Sequence, residues 1–282
     1  MKKTILISGI NGFLARNLAN LLKDDYTIYG IGKTADSKDG ITSFASHQLE
    51  AIDFVPDFLV LCHAAVSSGQ TSLATQELFD VNVTITQNLI SKFPSSKILY
   101  ISSASIYDST SLLLQENSAL HPQSEYAISK LWAELLVFKA AHAVVFRLSS
   151  LFGIGMKENT IIPNYVNQAL KNQVIEVWGT GERKQNYIHV ADACLYIKKA
   201  LQNFDAVKGK LLLAVHHKEF SNLELAQIIA QATNSKVVHY NEDNSKSLLY
   251  NNEITCKLVN WTPQSNFKEE ILRYIQWKKE QF

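Results

Sequence analysis

The stretch TILISGINGFLARNLANLL, residues 4–22, decides the fold of this chain. Its first residues form an apolar run that predicts a buried β-strand, and leucines then recur at helical spacing from residue 14 to residue 22. Gly9 and Gly12 lie between the two patterns, where the backbone must turn sharply. A strand, a glycine turn and a helix in this order predict the start of a sheet whose strands alternate with helices.

This alternation continues to about residue 150. Strands that alternate with helices predict a parallel sheet with right-handed crossovers and helices on both faces, a doubly wound α/β fold. The segment TADSKDGITSFASHQ, residues 34–48, is the most loop-like part of the chain. The further strands are expected at YTIYGIG (26–32), DFLVLCHAA (57–65), SKILYISSASIY (96–107) and AVVFRLSSLFG (143–153), and the further helices at 75–93 and around Tyr126.

Past Gly153 the alternation weakens, and the pattern predicts a smaller α/β domain interleaved with the first. Ser221 and Glu224 form a capping-box pattern, which predicts that a helix begins there. The first domain is expected to span 1–152 plus about 188–215, and the second about 153–187 plus 216–282. The other elements expected in this half are a helix at 160–172, a strand, loop, strand and helix along 174–201, and a strand at 210–215.

Charge and cysteine content narrow the class of protein. The 27 basic and 26 acidic residues nearly cancel, so no broad field attracts nucleic acid or an anionic membrane, and a small-molecule partner is expected. Cys62, Cys194 and Cys256 are far apart and in no metal-ligand spacing, which predicts no metal site and favours a reducing compartment. Glycines interrupt the apolar N-terminal stretch, and no segment approaches the roughly 20 apolar residues that span a bilayer. We therefore expect a cytoplasmic protein.

The glycine turn SGINGFLA, residues 8–15, is typical of a dinucleotide-binding loop. Gly9 permits the tight turn, and Gly12 lets a pyrophosphate approach backbone N–H groups at the positive end of a helix. Ala15 stands where a third glycine is usual. A glycine turn without a ligand is the alternative interpretation. The residues predicted to contact the cofactor here are Gly9, Asn11, Gly12, Phe13 and Leu14.

The end of the second strand bears on which dinucleotide binds. Chains that bind NAD usually carry an Asp or Glu about 20 residues past the glycines, where it holds the ribose hydroxyl. This chain has Gly32 there, followed by Lys33. A missing carboxylate and a nearby ammonium favour the 2′-phosphate of NADP over NAD, although a solvated surface lysine is an equal alternative.

Tyr126 and Lys130 lie four residues apart in SEYAISKLWAE, residues 124–134. On a helix such residues share a face, so the ammonium can lie near the phenol hydroxyl. A nearby cation favours phenolate, which predicts a lowered pKa for Tyr126 and an acid/base role near neutral pH. A serine hydroxyl from YISSASIYD (100–108) could share a substrate oxygen with Tyr126. Taken without other evidence, Tyr126 and Lys130 could also be two surface side chains that lie four residues apart by chance.

A Ser, a Tyr and a Lys beside a glycine-rich loop resemble the constellation of the short-chain dehydrogenase/reductases. The chain resembles in particular their extended branch, the NAD-dependent epimerase/dehydratase family, which modifies nucleotide sugars on a Rossmann fold. The resemblance runs in family order from residue 8 to residue 263. It is carried by SGINGFLA (8–15), HAA (63–65), VNVTITQNLI (81–90), SSASIYD (102–108), YAISK (126–130), FRLSSLFGIG (146–155), GTGERKQNYIHVADAC (179–194) and NWTP (260–263).

The resemblance implies roles for individual residues. It makes Tyr126 the catalytic acid/base, gives Lys130 the contact to the nicotinamide ribose, and places Ser103 on the catalytic Ser/Thr. It implies that Asn82 ties the sheet to a helix, and that the chain is a homodimer paired through helices 75–93 and 124–141. For the imidazole at position 63, a hydrogen bond to backbone is an equal alternative to cofactor contact. The loop residues implied at the cofactor are His63, Ala64 and Ala65, and those implied at the substrate are Ser105, Ser150 and Arg183.

Three departures from the family pattern limit the reaction. Ala104 and Ser105 replace the Asp-Glu pair of the dehydratases, which disfavours dehydration. Ser150 replaces a usual Asn, and Gln185 with Asn186 replaces a usual Arg-Asp. Arg183, two residues before Gln185, is a candidate clamp for a diphosphate because its guanidinium fork matches phosphate oxygens, with an exposed loop arginine as the alternative. The acidic adenine contact of the family has no clear equivalent.

Three functions stay open from the sequence. The first is an NAD(P)-dependent oxidoreductase on a nucleotide-linked sugar, most simply a reductase of a 4-keto sugar in which Tyr126 protonates the oxygen and Ser103 orients it. The second is an epimerase that retains NAD⁺ and returns the hydride to the other face. The third is a non-catalytic dinucleotide-binding protein on the same fold, because a fold alone does not decide activity.

Overall fold

The computed structural model describes residues 2–37, 40–66, 73–107 and 113–281. Its central sheet has seven parallel strands within the described ranges, in the order β10-β6-β5-β4-β1-β2-β3. This order confirms the doubly wound α/β fold, because the chain moves outward from β1 first to one side and then to the other. The strands are β1 (Thr4–Ser8), β2 (Thr27–Gly32), β3 (Thr42–Ala45), β4 (Phe58–Leu61), β5 (Lys97–Ser103), β6 (Ala143–Leu148) and β10 (Leu211–Ala214).

Helices cover both faces of this sheet, as the alternating pattern predicts. Leu18 in α1 and Ile197 in α6 belong to one buried cluster with the strands, whereas Leu89 in α3 and Val137 in α4 belong to another. The helices of the two layers are α1 (Phe13–Leu22), α2 (Thr75–Phe79), α3 (Ile85–Lys92), α4 (Glu125–Val137), α6 (Val190–Gln202), α7 (Phe204–Val207) and α9 (Glu253–Val259).

The predicted helix over 75–93 forms, but with a wider turn inside it. The π-helical turn Asp80–Thr84 joins α2 to α3. One residue of this turn, Asn82, is fully buried. A π-turn inside an α-helix inserts an extra residue and often occurs at a functional position.

Two sequence expectations are wrong in detail. The loop expected at 34–48 contains β3, which pairs with β2, and a 3₁₀ helix at Ser46–Ala51. Phe44 anchors this edge strand because its ring packs on Phe54. The single strand expected at 143–153 divides into β6 and β7 (Ser150–Phe152), which belong to different sheets.

The second half of the chain has its own buried cluster and two small sheets. A parallel pair joins β8 (Val174–Trp178) to β12 (Lys236–Tyr240), and β9 (Lys184–His189) lies between β7 and β11 (Glu219–Ser221). The cluster is built mainly on α5 (Ile161–Asn172), α8 (Asn222–Thr233) and α10 (Phe267–Lys279). The domain boundaries given above stay a prediction. None of the helices in the described part of the chain is long and apolar enough to cross a membrane.

The capping box expected before α8 is present. The Ser221 hydroxyl accepts the backbone N–H of Glu224 at 3.0 Å, and the Glu224 carboxylate accepts the backbone N–H of Ser221 at 2.6 Å. These two bonds satisfy backbone donors that a helix start leaves open.

Candidate active site

Three neighbouring strands bring the predicted site residues to one edge of the sheet. In the order β1, β4, β5, the strands end at Ser8, Leu61 and Ser103. Their carboxyl ends point the same way because the strands are parallel, and this edge is where doubly wound folds bind ligands. Gly9 and His63 follow the first two strand ends, and Ser103 closes the third.

The glycine turn has no room for side chains. Gly9 has φ +67°, and a Cβ there would lie 2.7 Å from the Cα of His63. The backbone N–H of Gly12 donates to the Gly9 carbonyl at 2.7 Å, and Gly12 caps α1 without a side-chain hydrogen bond. The helix therefore opens with backbone N–H groups that no capping side chain covers, which fits the pyrophosphate of a dinucleotide.

The other residues predicted on this turn have different surroundings. Leu14 is buried in the core, and Phe13 is partly buried against both large apolar clusters. Asn11 is exposed, and its side-chain amide lies 3.5 Å from the Thr34 carbonyl. Asn11 thus faces the end of β2, whereas Leu14 holds the helix on the sheet.

His63 is fixed by two hydroxyl groups rather than by backbone. Its Nδ1 lies 2.6 Å from Ser8 Oγ, and its Nε2 lies 3.0 Å from Thr86 Oγ1. Since the Thr86 hydroxyl donates to the Asn82 carbonyl, it accepts from His63, which puts the imidazole proton on Nε2. Burial, together with a smaller effect of nearby Lys130, lowers the pKa of His63 to about 3. Both ring nitrogens are engaged, so the predicted cofactor contact can come only from the carbon edge or backbone of His63.

Asn82 ties the loop after β4 to two helices. Its side-chain oxygen accepts the backbone N–H of Ala65 at 2.9 Å, and its amide donates to the Ala65 carbonyl at 3.0 Å and to Ser129 Oγ at 2.9 Å. This geometry agrees with the tie between sheet and helix that the resemblance implies. It fixes Ala65, while Ala64 is left exposed along the same loop.

Lys130 has its ammonium group inside the protein. The residue is 1% exposed, and its Nζ donates to the Ile101 carbonyl at 2.6 Å and lies 4.2 Å from the centre of the Tyr100 ring. Burial lowers the pKa of Lys130 to about 7, although Glu134 and Cys62 act in the opposite direction. The amine therefore exchanges its proton near neutral pH.

The expectation of a lowered pKa for Tyr126 is wrong for this structure. Burial of the phenol raises its pKa, and a hydrogen bond with the Ser103 side chain only partly opposes that effect. A lysine whose own pKa has fallen to about 7 is a weaker source of positive charge than the sequence argument assumed. Tyr126 consequently keeps its proton at neutral pH and can donate it.

Ser103 lies beside Tyr126, as the resemblance implies, and Ser105 lies beside Ser103. The Ser103 Oγ accepts the backbone N–H of Ser105 at 3.2 Å, and the two hydroxyl oxygens are 2.9 Å apart. Ser103 begins a short 3₁₀ turn at the end of β5, while Ser105 is exposed. The structure thus brings Ser103, Tyr126 and Lys130 together.

A buried ion pair next to the trio was missed from the sequence. Arg147 donates from Nε and Nη2 to the two carboxylate oxygens of Glu134 at 3.0 Å and 2.7 Å, and both residues are almost fully buried. Glu134 follows Lys130 by four residues on the same helix, so the spacing of Tyr126, Lys130 and Glu134 was the available signal.

Two of the three residues predicted for the substrate line a cleft of about 710 Å³. Ser150, Arg183 and Gln185 line it, and Ser105 does not. Arg183 Nη1 lies 3.9 Å from an Asp243 oxygen, so its charge is partly balanced.

The two residues that replace the family's Arg-Asp face in opposite directions. The Gln185 amide donates to Asn222 Oδ1 at 2.8 Å within the cleft. Asn186 is buried, where its side-chain oxygen accepts from Ser149 Oγ at 2.7 Å and its amide donates to the His216 carbonyl at 2.7 Å. Only Gln185 is therefore available to a substrate.

The segment just after β2 contains a carboxylate that the sequence argument missed. Lys33 is exposed there. Asp36 lines a small cleft of about 200 Å³ with Asn11 and Arg16, and its backbone N–H donates to Ser43 Oγ at 2.7 Å. An acidic group thus lies beside the glycine turn, four residues after the Gly32 position where it was sought.

Comparison with known proteins agrees with this geometry. Residues 5–215 match the model of the NAD dependent epimerase/dehydratase family. The chain is similar to the dTDP-D-glucose 4,6-dehydratase of Bos taurus, 25% identical over 99% of this chain and 90% of that protein. It is also similar to the GDP-6-deoxy-D-talose 4-dehydrogenase of Aggregatibacter actinomycetemcomitans, 27% identical over 71% of each chain.

A solved structure has the same fold over almost the whole chain. It is the UDP-glucuronic acid 4-epimerase of Bacillus cereus in complex with UDP-glucuronic acid and NAD. It superimposes with a TM-score of 0.84 over 98% of this chain and 99% of that one, at 17% identity.

Proposed function

The chain belongs to the NAD dependent epimerase/dehydratase family, and on that premise we propose that it is an oxidoreductase of a nucleotide-linked sugar, most simply a reductase of a 4-keto sugar. The observation that carries the proposal is the grouping of Ser103, Tyr126 and Lys130 at the sheet edge that also holds the glycine turn. The cleft that contains Ser150 and Arg183 is the proposed place of the nucleotide diphosphate.

Each member of the trio has a task that suits its surroundings. A reduced dinucleotide bound at the glycine turn would supply the hydride that the ketone carbon needs. The Ser103 hydroxyl donates a hydrogen bond that orients the ketone oxygen, and Tyr126 transfers its phenol proton to that oxygen as the C–O bond becomes single. Lys130, with a pKa of about 7, then returns a proton toward the phenolate. The raised pKa of Tyr126 suits the acid role, because the phenol is protonated before reaction.

An epimerase is the alternative that the comparisons favour. The solved neighbour is a 4-epimerase that holds NAD, and in such a reaction Tyr126 would first take a proton and later return it. Epimerisation needs the same three residues and a cofactor that stays bound. The non-catalytic alternative is less well supported, because the chain retains all three side chains.

Dehydration stays disfavoured although dehydratases are among the relatives. Elimination of water needs a base at the carbon next to the ketone and an acid at the hydroxyl of the carbon after it. Ala104 has no ionisable group, and Ser105 offers only a hydroxyl. Neither residue can act as the general acid or the general base that a carboxyl pair would provide.

NAD is the cofactor that we now expect, instead of NADP. The preference for NADP depended on the absence of a carboxylate near the end of β2, and Asp36 provides one in the cleft beside Asn11. A carboxylate suits the free hydroxyl of NAD and repels the 2′-phosphate of NADP. Lys33 is exposed and remains the residue that would favour NADP.

The experiment that separates the reactions is mass spectrometry of the nucleotide that co-purifies with the protein, followed by titration of NADH and NADPH into stripped protein. A panel of nucleotide sugars and 4-keto sugars is then tested for turnover. Retained NAD⁺ and inversion at one carbon would indicate the epimerase. An empty site with NADH-dependent reduction of a ketone would support the reductase, and neither binding nor turnover would contradict both.

A further inference from the structure

Part of the wall of the proposed substrate cleft is formed by the exposed face of β8. Along β8 the side chains alternate, so Ile175 and Val177 are buried while Glu176 and Trp178 are exposed on the opposite face. Residues two apart on a strand share a face and are neighbours on it. Both Glu176 and Trp178 line the cleft that also contains Arg183.

Of the described charged side chains that line this cleft, Arg183 and Asp243 are paired with each other, whereas Glu176 is not. Arg183 is held by Asp243 at 3.9 Å and by the Lys246 carbonyl at 3.4 Å. The Glu176 carboxylate makes neither a hydrogen bond nor an ion pair with the part of the chain that the structure describes. Its backbone N–H, by contrast, is fixed by Gln168 Oε1 at 2.9 Å. The backbone position of Glu176 is therefore set while its acceptor oxygens are available to a ligand.

The Trp178 ring provides a flat apolar surface next to this carboxylate. The residue is 53% exposed, and its ring meets the Tyr240 ring edge to face at 6.4 Å between centres. Exposed indoles are favourable stacking surfaces for nucleobases, whatever the base. Trp178 would thus hold a base without choosing among bases.

The choice of base follows from the hydrogen-bonding capacity of Glu176. An ionised carboxylate only accepts hydrogen bonds, and it can accept two in parallel. Guanine presents two adjacent donors, N1–H and the 2-amino group. Uracil and thymine present one N–H between two carbonyl oxygens, which a carboxylate repels.

We propose that Glu176 makes the protein selective for guanosine diphosphate-linked sugars, with guanine stacked on Trp178. This inference rests on the proposed function, since it assigns the base of the nucleotide whose diphosphate lies near Arg183. Asp243 is engaged with Arg183, so Glu176 is the carboxylate left for a base among the described residues that line this cleft.

The test is calorimetric titration of GDP and UDP into the NAD-loaded protein at one salt concentration. The wild type is expected to bind GDP at least about tenfold more tightly than UDP, the discrimination of one good bidentate pair. Glu176→Gln is expected to lose most of that ratio by weakening GDP, because an amide can accept only one of the two bonds. Glu182→Gln, an exposed carboxylate that is not among the cleft-lining residues, is the matched control and should keep the wild-type ratio.

The possible outcomes distinguish a failure of this inference from a failure of the proposed function. UDP binding as tight as GDP, or a GDP preference unchanged in Glu176→Gln, would overturn the role of Glu176 and leave the proposed function standing. Binding of neither nucleotide by a folded, NAD-loaded protein would overturn both. Trp178→Ala should weaken GDP and UDP by the same factor, and unchanged binding of both would remove the stacking role.

Discussion

At the scale of single residues, the groups around Lys130 determine the pKa of its amine. The amine is buried, its Nζ donates to the Ile101 carbonyl, and burial lowers its pKa to about 7. Glu134 acts against that decrease because a negative charge favours the ammonium form. Cys62, His63 and the Tyr100 ring complete the surroundings. As pH rises through the pKa of Lys130, the amine loses the charge with which it would hold the cofactor's ribose.

Glu134→Gln should therefore shift the pH dependence of cofactor binding. Without the carboxylate the pKa of Lys130 falls, and we expect the loss of NAD affinity with rising pH to begin about one pH unit lower. The measurement is the dissociation constant of NAD from pH 5.5 to 9 by fluorescence titration, on protein whose fold is verified by circular dichroism.

Two further variants make the effect of Glu134 specific. Because Glu134→Gln leaves Arg147 buried without its partner, the double variant with Arg147→Met checks the same shift without an unpaired charge. Glu125→Gln changes an exposed carboxylate of the same helix and should leave the profile where it is. A profile that does not move in either Glu134 variant would show that Glu134 does not tune Lys130.

At the scale of elements, local patterns were predictable and distant pairings were not. The helix start at Ser221 followed from a capping box within four residues. The edge strand β3 depends on its pairing with β2, and a short segment rich in Ser and Thr gives little periodicity to reveal that. The break between β6 and β7 occurs at Ser149, whose hydroxyl donates to Asn186, a partner in a different strand.

The π-helical turn at Asp80–Thr84 supports the loop after β4 through the Asn82 side chain. Removal of this side chain should lower the free energy of unfolding. Asn82→Ala deprives the buried N–H and carbonyl of Ala65 of their partners. Each unsatisfied group costs about 1–3 kcal/mol, so the free energy of unfolding should fall by about 2–4 kcal/mol. Urea denaturation measures this.

The matched control for that variant is Asn88→Ala, an exposed position on α3. It should change the free energy of unfolding by less than about 0.5 kcal/mol. Since the loop at Ala65 is predicted to line the cofactor, Asn82→Ala should also weaken NAD binding, whereas Asn88→Ala should not. Equal stability of the two variants would refute the role of Asn82 in holding the loop at Ala65.

At the scale of the whole molecule, the described surface includes an apolar stripe on α4. Ile128, Trp132 and Leu135 are each at least half exposed there. The Trp132 ring also meets Phe79 of α2 edge to face, at 5.2 Å between centres. Contiguous apolar surface of this kind marks an interaction site more often than a solvated face. The stripe lies on the helices through which the resemblance implies pairing of two copies.

We therefore expect a homodimer through this stripe. Sedimentation velocity at micromolar protein should show a dimer for the wild type and a monomer for Leu135→Lys, because a buried unpaired charge opposes association. Val55→Lys changes an equally exposed residue elsewhere and should leave the dimer intact. A wild-type protein that sediments only as a monomer would rule the pairing out.

The sequence predicted which residues meet at the site better than it predicted their electrostatics. Ser103, Tyr126 and Lys130 converge because parallel strands end at one edge and helix spacing is regular. The raised pKa of Tyr126 and the lowered pKa of Lys130 depend on burial, which only the packing of the whole chain determines. Glu134 and Arg147 were missed for the same reason, since their pairing crosses from helix to strand.

The most direct test of the central claim is the rate of Tyr126→Phe with the nucleotide sugar that the wild type turns over, measured together with NAD affinity. If Tyr126 donates the proton, the turnover number should fall by about 10²–10⁴-fold while NAD binds as in the wild type. Tyr240→Phe, an exposed tyrosine, should keep the wild-type rate. A Tyr126→Phe protein with the wild-type rate and intact cofactor binding would contradict the account.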